Sequence, residues 1–327
     1  MISHEHLAFI RDITHHYGWG ASLRITPQIG GYVADVFLIE TATHVGWLKC
    51  YDRHRAITHR VLAQASFYLH VTHWLSQHSA LANRITAPIP TLDGQFIIDS
   101  GDRFVAIMFT YVHGMTLRES VMTEAQRHHL VTTVALLHSA TTAVPKATVS
   151  VIEDFAAPWA PTLAHMLDDQ WHHVAPDVQT LLLPCRHSLQ SLLVQFVHAE
   201  LHYRAHPPPM VLCHTDIHGY NIIVDGGHTT LLDFEGLKIA PVEHDLMFWV
   251  DDNAWPDMLT SYQEIRPNVV PQPALVRFYQ VRRLLEDVYD YLEQLVVEQP
   301  TGELRTHICD SLSQMLVHVP DMSIAAE

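Results

Sequence analysis

Apolar positions change their spacing several times along this chain, and each change marks an element. Leu7, Ile10, Ile13 and Tyr17 recur at helical spacing over residues 3 to 18. From 23 to 50 the pattern turns strand-like: Leu23-Arg24-Ile25, Val36 to Ile39 and Val45 to Lys49, with a turn at Gln28-Ile29-Gly30-Gly31. A helix is expected within residues 54 to 77, and it carries no acidic residue. Two further strands flank Asp99-Ser100-Gly101-Asp102, and the second, Phe104 to Tyr111, runs into Val112 to Leu117. Glu124 to Ala140 is amphipathic, with Leu130, Val134, Leu137 and His138 on one side. Residues 150 to 205 read as mostly helical, with breaks at Pro158, Pro161, Pro176 and Pro184. A final long helix is expected over 273 to 298, its apolar stripe being Val281, Leu284, Leu285, Val288 and Leu292.

Between these helical stretches lies the segment 210 to 237, which reads as strand, polar loop, strand, tight turn, strand. Met210 to Cys213 is a short apolar run launched by three prolines. Ile222 to Val224 and Thr229 to Leu232 are β-prone, and Asp225-Gly226-Gly227 between them tolerates the positive φ of a hairpin turn. Polar groups gather where these strands end: His214, Asp216, His218 and Asn221 on the first loop, Asp233 and Glu235 after the last strand. Carboxylates and a carboxamide at one end of a hairpin are hard oxygen donors, the set that Mg²⁺ and the phosphates it neutralises require.

Composition narrows the picture. At 327 residues the chain can build a large core and is expected to form two parts. Lys plus Arg number 19 against 35 Asp plus Glu, a formal charge of −16. That balance argues against general binding to nucleic acid or anionic membrane, which need basic surface, and permits a cationic small molecule. Cys50, Cys185, Cys213 and Cys309 have no metal-site spacing and read as thiols of a reducing, cytoplasmic compartment. No leader-like start and no apolar run of membrane-spanning length are seen. The 27 histidines make chance pairs such as His70 and His73 unremarkable as metal ligands.

His214-x-Asp216, Asn221 five residues past the aspartate, and Asp233-Phe234 at a strand end match the catalytic loop and metal-binding aspartate of kinases. His-Thr-Asp-Ile-His-Gly-Tyr-Asn followed by Leu-Leu-Asp-Phe-Glu resembles the aminoglycoside phosphotransferase family, whose signature is His-x-Asp-x-His-x-x-Asn. The Cys-His-x-Asp-Ile-His opening and Asp245-Leu246-Met247-Phe248 look most like its spectinomycin-phosphorylating members. The close match covers about forty residues; elsewhere the likeness is one of element order.

The resemblance implies a two-lobed, kinase-like α+β fold, with a nucleotide lobe over 1–112 and a mostly helical catalytic and substrate lobe over 113–327. It implies ATP or GTP and Mg²⁺ as cofactors, and phosphoryl transfer to a hydroxyl of an aminoglycoside or aminocyclitol, an antibiotic-resistance activity. Asp216 is then expected to orient and deprotonate the hydroxyl, and His214 to brace its loop against the Asp233 segment. His218 stands near the transferred group or serves the loop's structure. Asn221 and Asp233 are the expected metal ligands, with Glu235 assisting or starting a helix. Lys49, near the end of an apolar strand, is expected to hold nucleotide phosphates under a hairpin turning at Gly30 and Gly31. Thr110, Tyr111 and Val112 fall where backbone groups meet an adenine edge. Glu286 and Asp287, off the apolar stripe of the last helix, and Asp251 are the expected substrate carboxylates.

One departure stands out. The lysine of such a site pairs with a glutamate on the next helix, and residues 54 to 77 offer only Gln64 or Ser66 near that place. Three other readings stay open: a metabolic kinase of the same fold acting on choline, homoserine or methylthioribose; a catalytically weak nucleotide-binding member; and a metallohydrolase built on His214-x-Asp216-x-His218.

Overall fold

The computed structural model describes residues 4–20, 24–28, 34–118, 120–145, 151–319 and 322–324. The chain is α+β and divides into two compact units, each discontinuous in sequence. The first comprises 1–152, 211–239 and 253–269, and the second comprises 153–210, 240–252 and 270–327.

In the first unit, β1 (Arg24–Gln28), β2 (Asp35–Glu40), β3 (Val45–Asp52), β4 (Ile97–Asp99) and β5 (Phe104–Thr110) form one antiparallel sheet in the order β1-β2-β3-β5-β4. Strand alternation decides what each face carries. Phe37 and Ile39 of β2, with Leu48 and Cys50 of β3, turn to one face. There they form a core with Ile10 and Ile13 of α1 (His4–Ile13) and with Tyr17. The neighbouring β3 positions Trp47, Lys49 and Tyr51 therefore point the other way. The helix expected after this strand is α2 (Ala56–His78), which buries Ala65, Phe67, Tyr68, Leu69, Val71 and Leu75.

After β6 (Met115–Thr116), α3 (Glu124–Ser139) begins on a capping box. Thr123 and Gln126 exchange side-chain and backbone hydrogen bonds, satisfying two otherwise orphan N–H groups. Its buried face meets the helix Trp255–Ile265, where Tyr262 Oη lies 2.7 Å from His138 Nδ1. The segment read as strand, loop and hairpin forms as expected: β7 (Val211–Cys213), β8 (Ile222–Asp225), β9 (His228–Leu231), with β10 (Lys238–Ala240) beyond. β8 lies between β6 and β9, and β10 pairs with β7.

The second unit is helical: Ala160–Leu167, Pro176–Leu182, Arg186–Ala205, Glu243–Leu246, Pro273–Glu293 and Gly302–Leu316. Trp159 stacks on Phe196, and Phe196 on Phe278, at centroid distances of 5.5 and 5.1 Å. Pro273–Glu293 is the expected long helix and buries the anticipated stripe. It closes in a π turn at Gln294–Glu298, and Gln299 at φ 50° with Pro300 breaks it. The helix Gly302–Leu316 was not foreseen, although Ile308, Leu312 and Leu316 recur at four-residue spacing on its buried face.

Candidate active site

The site begins at the end of β7. His214 is fully buried, and its Nε2–H donates to Leu232 O at 2.7 Å. Its Nδ1 accepts from Asp216 N at 3.2 Å, which defines the tautomer. The ring also packs on Phe234 at 4.4 Å. One imidazole thus ties the Asp216 loop to the residue before Asp233. Thr215 makes the second tie: its hydroxyl donates to Gly236 O at 3.0 Å. Thr215 has φ 75°, a left-handed conformation that costs a β-branched residue about 1–3 kcal/mol and persists only where neighbours enforce it.

The loop then turns through Gly219–Asn221 into β8. Asn221 Nδ2 donates to both the backbone oxygen and Oδ2 of Asp216, each at 2.9 Å. With its donors directed at Asp216, the carboxamide oxygen is the atom left for a cation. His218 Nδ1 accepts from Tyr220 N at 3.2 Å, and its Nε2 stands 3.3 Å from Asp216 Oδ2. Asp216 is therefore held from two sides while its side chain stays 33% exposed. The hairpin register pairs Ile222 with Leu231, and Leu232 N donates to Asn221 O at 2.9 Å. Asn221 and Asp233 consequently leave the same end of one ribbon.

Asp233 has φ 62° and starts the short turn Phe234–Gly236. Its Oδ1 lies 2.7 Å from Lys49 Nζ, yet among the described residues that buried oxygen has no aligned hydrogen bond. Lys49 Nζ also donates to Glu235 Oε1 at 2.6 Å, and Tyr51 Oη donates to the same oxygen at 2.5 Å. Burial alone would lower the Lys49 pKa, but Asp233 and Glu235 together hold it above its ordinary value. Glu235 is pushed up, first by burial and then by the Asp233 charge beside it. Two carboxylates share a single buried ammonium here, which raises the lysine and, added to burial, raises Glu235, and the cluster carries an excess negative charge. A hard divalent cation fits such a place. Asp233 Oδ1 and the Asn221 carboxamide oxygen would hold it, and it would offset the carboxylate repulsion.

The missing helix glutamate is thus replaced from elsewhere. Neither Gln64 nor Ser66 is the partner: the lysine is held by Asp233 and Glu235, and Ser66 is exposed. Reading the sequence alone missed Tyr51, Thr215 and Gly236. For Tyr51 a signal existed, since it stands two residues after Lys49 on the same strand face.

Of the other expected positions, Gly30 and Gly31 lie outside the described residues. Thr110 ends β5, where it exchanges bonds with Ala87 through N–H to O at 2.9 Å and N–H to Oγ1 at 3.2 Å. Tyr111 packs against Trp47 at 5.4 Å and His113 at 4.7 Å, and Val112 is half-buried. Beneath Gly46, opposite Thr110, a Cβ would come within 2.9 Å of Met108 Sδ. Asp251, Glu286 and Asp287 belong to the second unit. Asp251 accepts from Gln280 Nε2 at 2.8 Å, Asp287 pairs with Arg283 at 3.0 Å, and Glu286 lies in the field of Arg282.

A phosphotransferase enzyme family model matches residues 25–268, and the chain belongs to that family. Its fold is the kinase-like phosphotransferase fold, and the protein is an enzyme of the small-molecule phosphotransferase class. Spectinomycin phosphotransferase APH(9)-Ia, solved with ADP and spectinomycin, is similar at TM-score 0.71 and 17% identity, over 98% of this chain and 99% of that one. A microcompartment-associated aminopropanol kinase is similar at TM-score 0.60 and 16% identity, over 96% and 95%. Amicoumacin kinase hAmiN, solved with AMP-PNP and Ca²⁺, is similar at 0.62 and 14%, over 97% and 94%. No curated protein sequence matches the chain. Among the described residues no helix is long and apolar enough to cross a membrane.

Proposed function

We propose that the protein transfers the γ-phosphoryl group of ATP to a hydroxyl of a small cationic molecule, with an aminocyclitol such as spectinomycin as the first candidate acceptor. The observation that carries this reading is the ribbon end. Asp216 is clamped by Asn221 and His218, Asp233 is one residue past Asn221's partner, and Lys49 closes on Asp233. Asp216 takes the hydroxyl proton as the oxygen forms its bond to the γ-phosphorus and the β–γ bridging bond breaks, releasing ADP. His214 keeps the Asp216 loop in register with Asp233, and Lys49 holds the nucleotide phosphates. Asn221 and Asp233 would hold Mg²⁺, whose charge would offset that of the triphosphate. His218, donating to Asp216, steers that carboxylate toward the acceptor.

In this reading residues 1–112 form the nucleotide lobe, with Thr110, Tyr111 and Val112 along the adenine edge and Gly30 and Gly31 over the phosphates. Asp251, Glu286 and Asp287 supply negative charge for the acceptor's ammonium groups, and the enzyme works in the cytoplasm. The ground for a catalytically weak member was a lysine without a carboxylate partner, and Lys49 has two. The test is ADP release from ATP and Mg²⁺ across a panel: spectinomycin, hygromycin B, a macrolide, amicoumacin, aminopropanol, choline, homoserine and methylthioribose. Stimulation by an aminocyclitol is expected. A response to choline or homoserine alone would move the enzyme to metabolism, and no stimulation by any acceptor would overturn the reading.

A further inference from the structure

The two carboxylates on Lys49 are not equivalent. Glu235 is 14% exposed in its side chain and Asp233 is 35% exposed. Glu235 Oε1 accepts from both Lys49 and Tyr51, at 2.6 and 2.5 Å, whereas Asp233 Oδ1 meets Lys49 without aligned hydrogen bonding. Tyr51 stands on the same face of β3 as Lys49, so strand geometry delivers both donors to one oxygen. From the other side α2, which has no acidic residue, presents the fully buried Tyr68 to the Glu235 field.

Resting on the ATP-dependent reading above, we infer that Glu235, seated by Tyr51, is the permanent positioning residue for Lys49, and that Asp233 is its exchangeable partner. Asp233 surrenders the ammonium when phosphates and a cation arrive, and Glu235 does not. The helix after the lysine strand contributes tyrosine packing in place of a carboxylate. A physical consequence follows. Where the carboxylate rides on a mobile helix, swinging that helix breaks the lysine pair. Here the carboxylate is two residues from the metal-binding aspartate, so lysine and metal loop are set as one piece.

The experiment is a double-mutant cycle on the full chain, reading the Kd of Mg·ATP by calorimetry, which needs no acceptor. Lys49→Ala and Glu235→Gln should each weaken binding by about tenfold, the scale of one charged hydrogen bond. Because Glu235 acts through Lys49, Glu235→Gln added to Lys49→Ala should change the Kd by less than about twofold. Tyr51→Phe should weaken binding a few-fold in the wild type and not at all beside Lys49→Ala. It also serves as the probe if the Gln variant does not fold. A Glu235→Gln protein with unchanged Kd, or losses that multiply in the double variant, would overturn the inference. The second outcome would make Glu235 an independent ligand. Failure of the wild type itself to bind Mg·ATP would overturn the broader reading instead.

Discussion

Gly236 joins the turn behind Asp233 to the loop that carries Asp216, and replacing it with alanine tests how tightly those two pieces are coupled. The new Cβ would stand 2.4 Å from Thr215 Oγ1 and 3.3 Å from His214 O. Gly236 does not have a positive φ, so backbone conformation adds nothing and the collision is the whole perturbation. The first possible response is rotation of Thr215. That breaks its 3.0 Å bond to Gly236 O, worth about 1 kcal/mol, and forces a β-branched side chain off its rotamer for about 1 kcal/mol more. The second is separation of the two loops. Asp216 follows Thr215 directly, and a displacement of about 1 Å in a catalytic group costs about 100-fold in rate.

We therefore expect Gly236→Ala to lose about 2 kcal/mol of stability in urea denaturation and about 100-fold in kcat, measured by ADP release with a working acceptor. Thr215→Ala removes the oxygen the methyl would strike and leaves the tighter but tolerable His214 O at 3.3 Å and the residue 215 Cβ at an ordinary 3.8 Å. The double variant should then be less destabilised than the sum of the singles by about 1–2 kcal/mol. A Gly236→Ala protein with wild-type stability and turnover, or strictly additive losses, would refute the reasoning.

Asp216→Asn should cut turnover at least about 100-fold while Mg·ATP binding stays within about threefold, and wild-type turnover would remove Asp216 from its role. Burial, with Arg84 beside it, pushes His129 down from 6.5 to about 4, and its Nδ1 accepts from Thr229 N at 3.1 Å. The unfolded chain takes up that proton first, so this contribution to stability is complete above about pH 6.5 and is lost as pH falls toward about 4. His129→Gln should flatten that part of the melting-temperature profile; identical acid slopes would count against it. In the second unit, Glu153, with its side chain 1% exposed, pairs with Arg282 at 3.1 Å. Arg282→Met should cost about 3–5 kcal/mol in urea denaturation by stranding a buried charge, and adding Glu153→Gln should restore most of it. No gain from the second change would show that a stranded Glu153 charge is not what the first one costs.

How far the site could be read from sequence tracks how local each interaction is. Asp216, Asn221 and Asp233 were legible because a single hairpin carries them, and turn residues with β-prone runs define its register. Lys49 was legible as a strand lysine, since the alternation around it is clear. Its partners were not. Glu235 lies 186 residues away, and nothing in the spacing says which carboxylate reaches the strand. Thr215 at φ 75° ran against its β preference, because a tie to Gly236 outweighs local propensity. The helix Gly302–Leu316 was not foreseen, although Ile308, Leu312 and Leu316 stand four residues apart, since only packing shows that those positions share a buried face.

By itself, then, the order of residues determined the α+β character, the ribbon and the oxygen donors at its end. Those follow from periodicity, turn chemistry and hydrogen bonds between near neighbours. Only the folded chain decided what holds Lys49 and what locks the Asp216 loop to the Asp233 turn. Such contacts exist only once whole strands and helices have packed, and packing depends on shapes and volumes that no local pattern encodes.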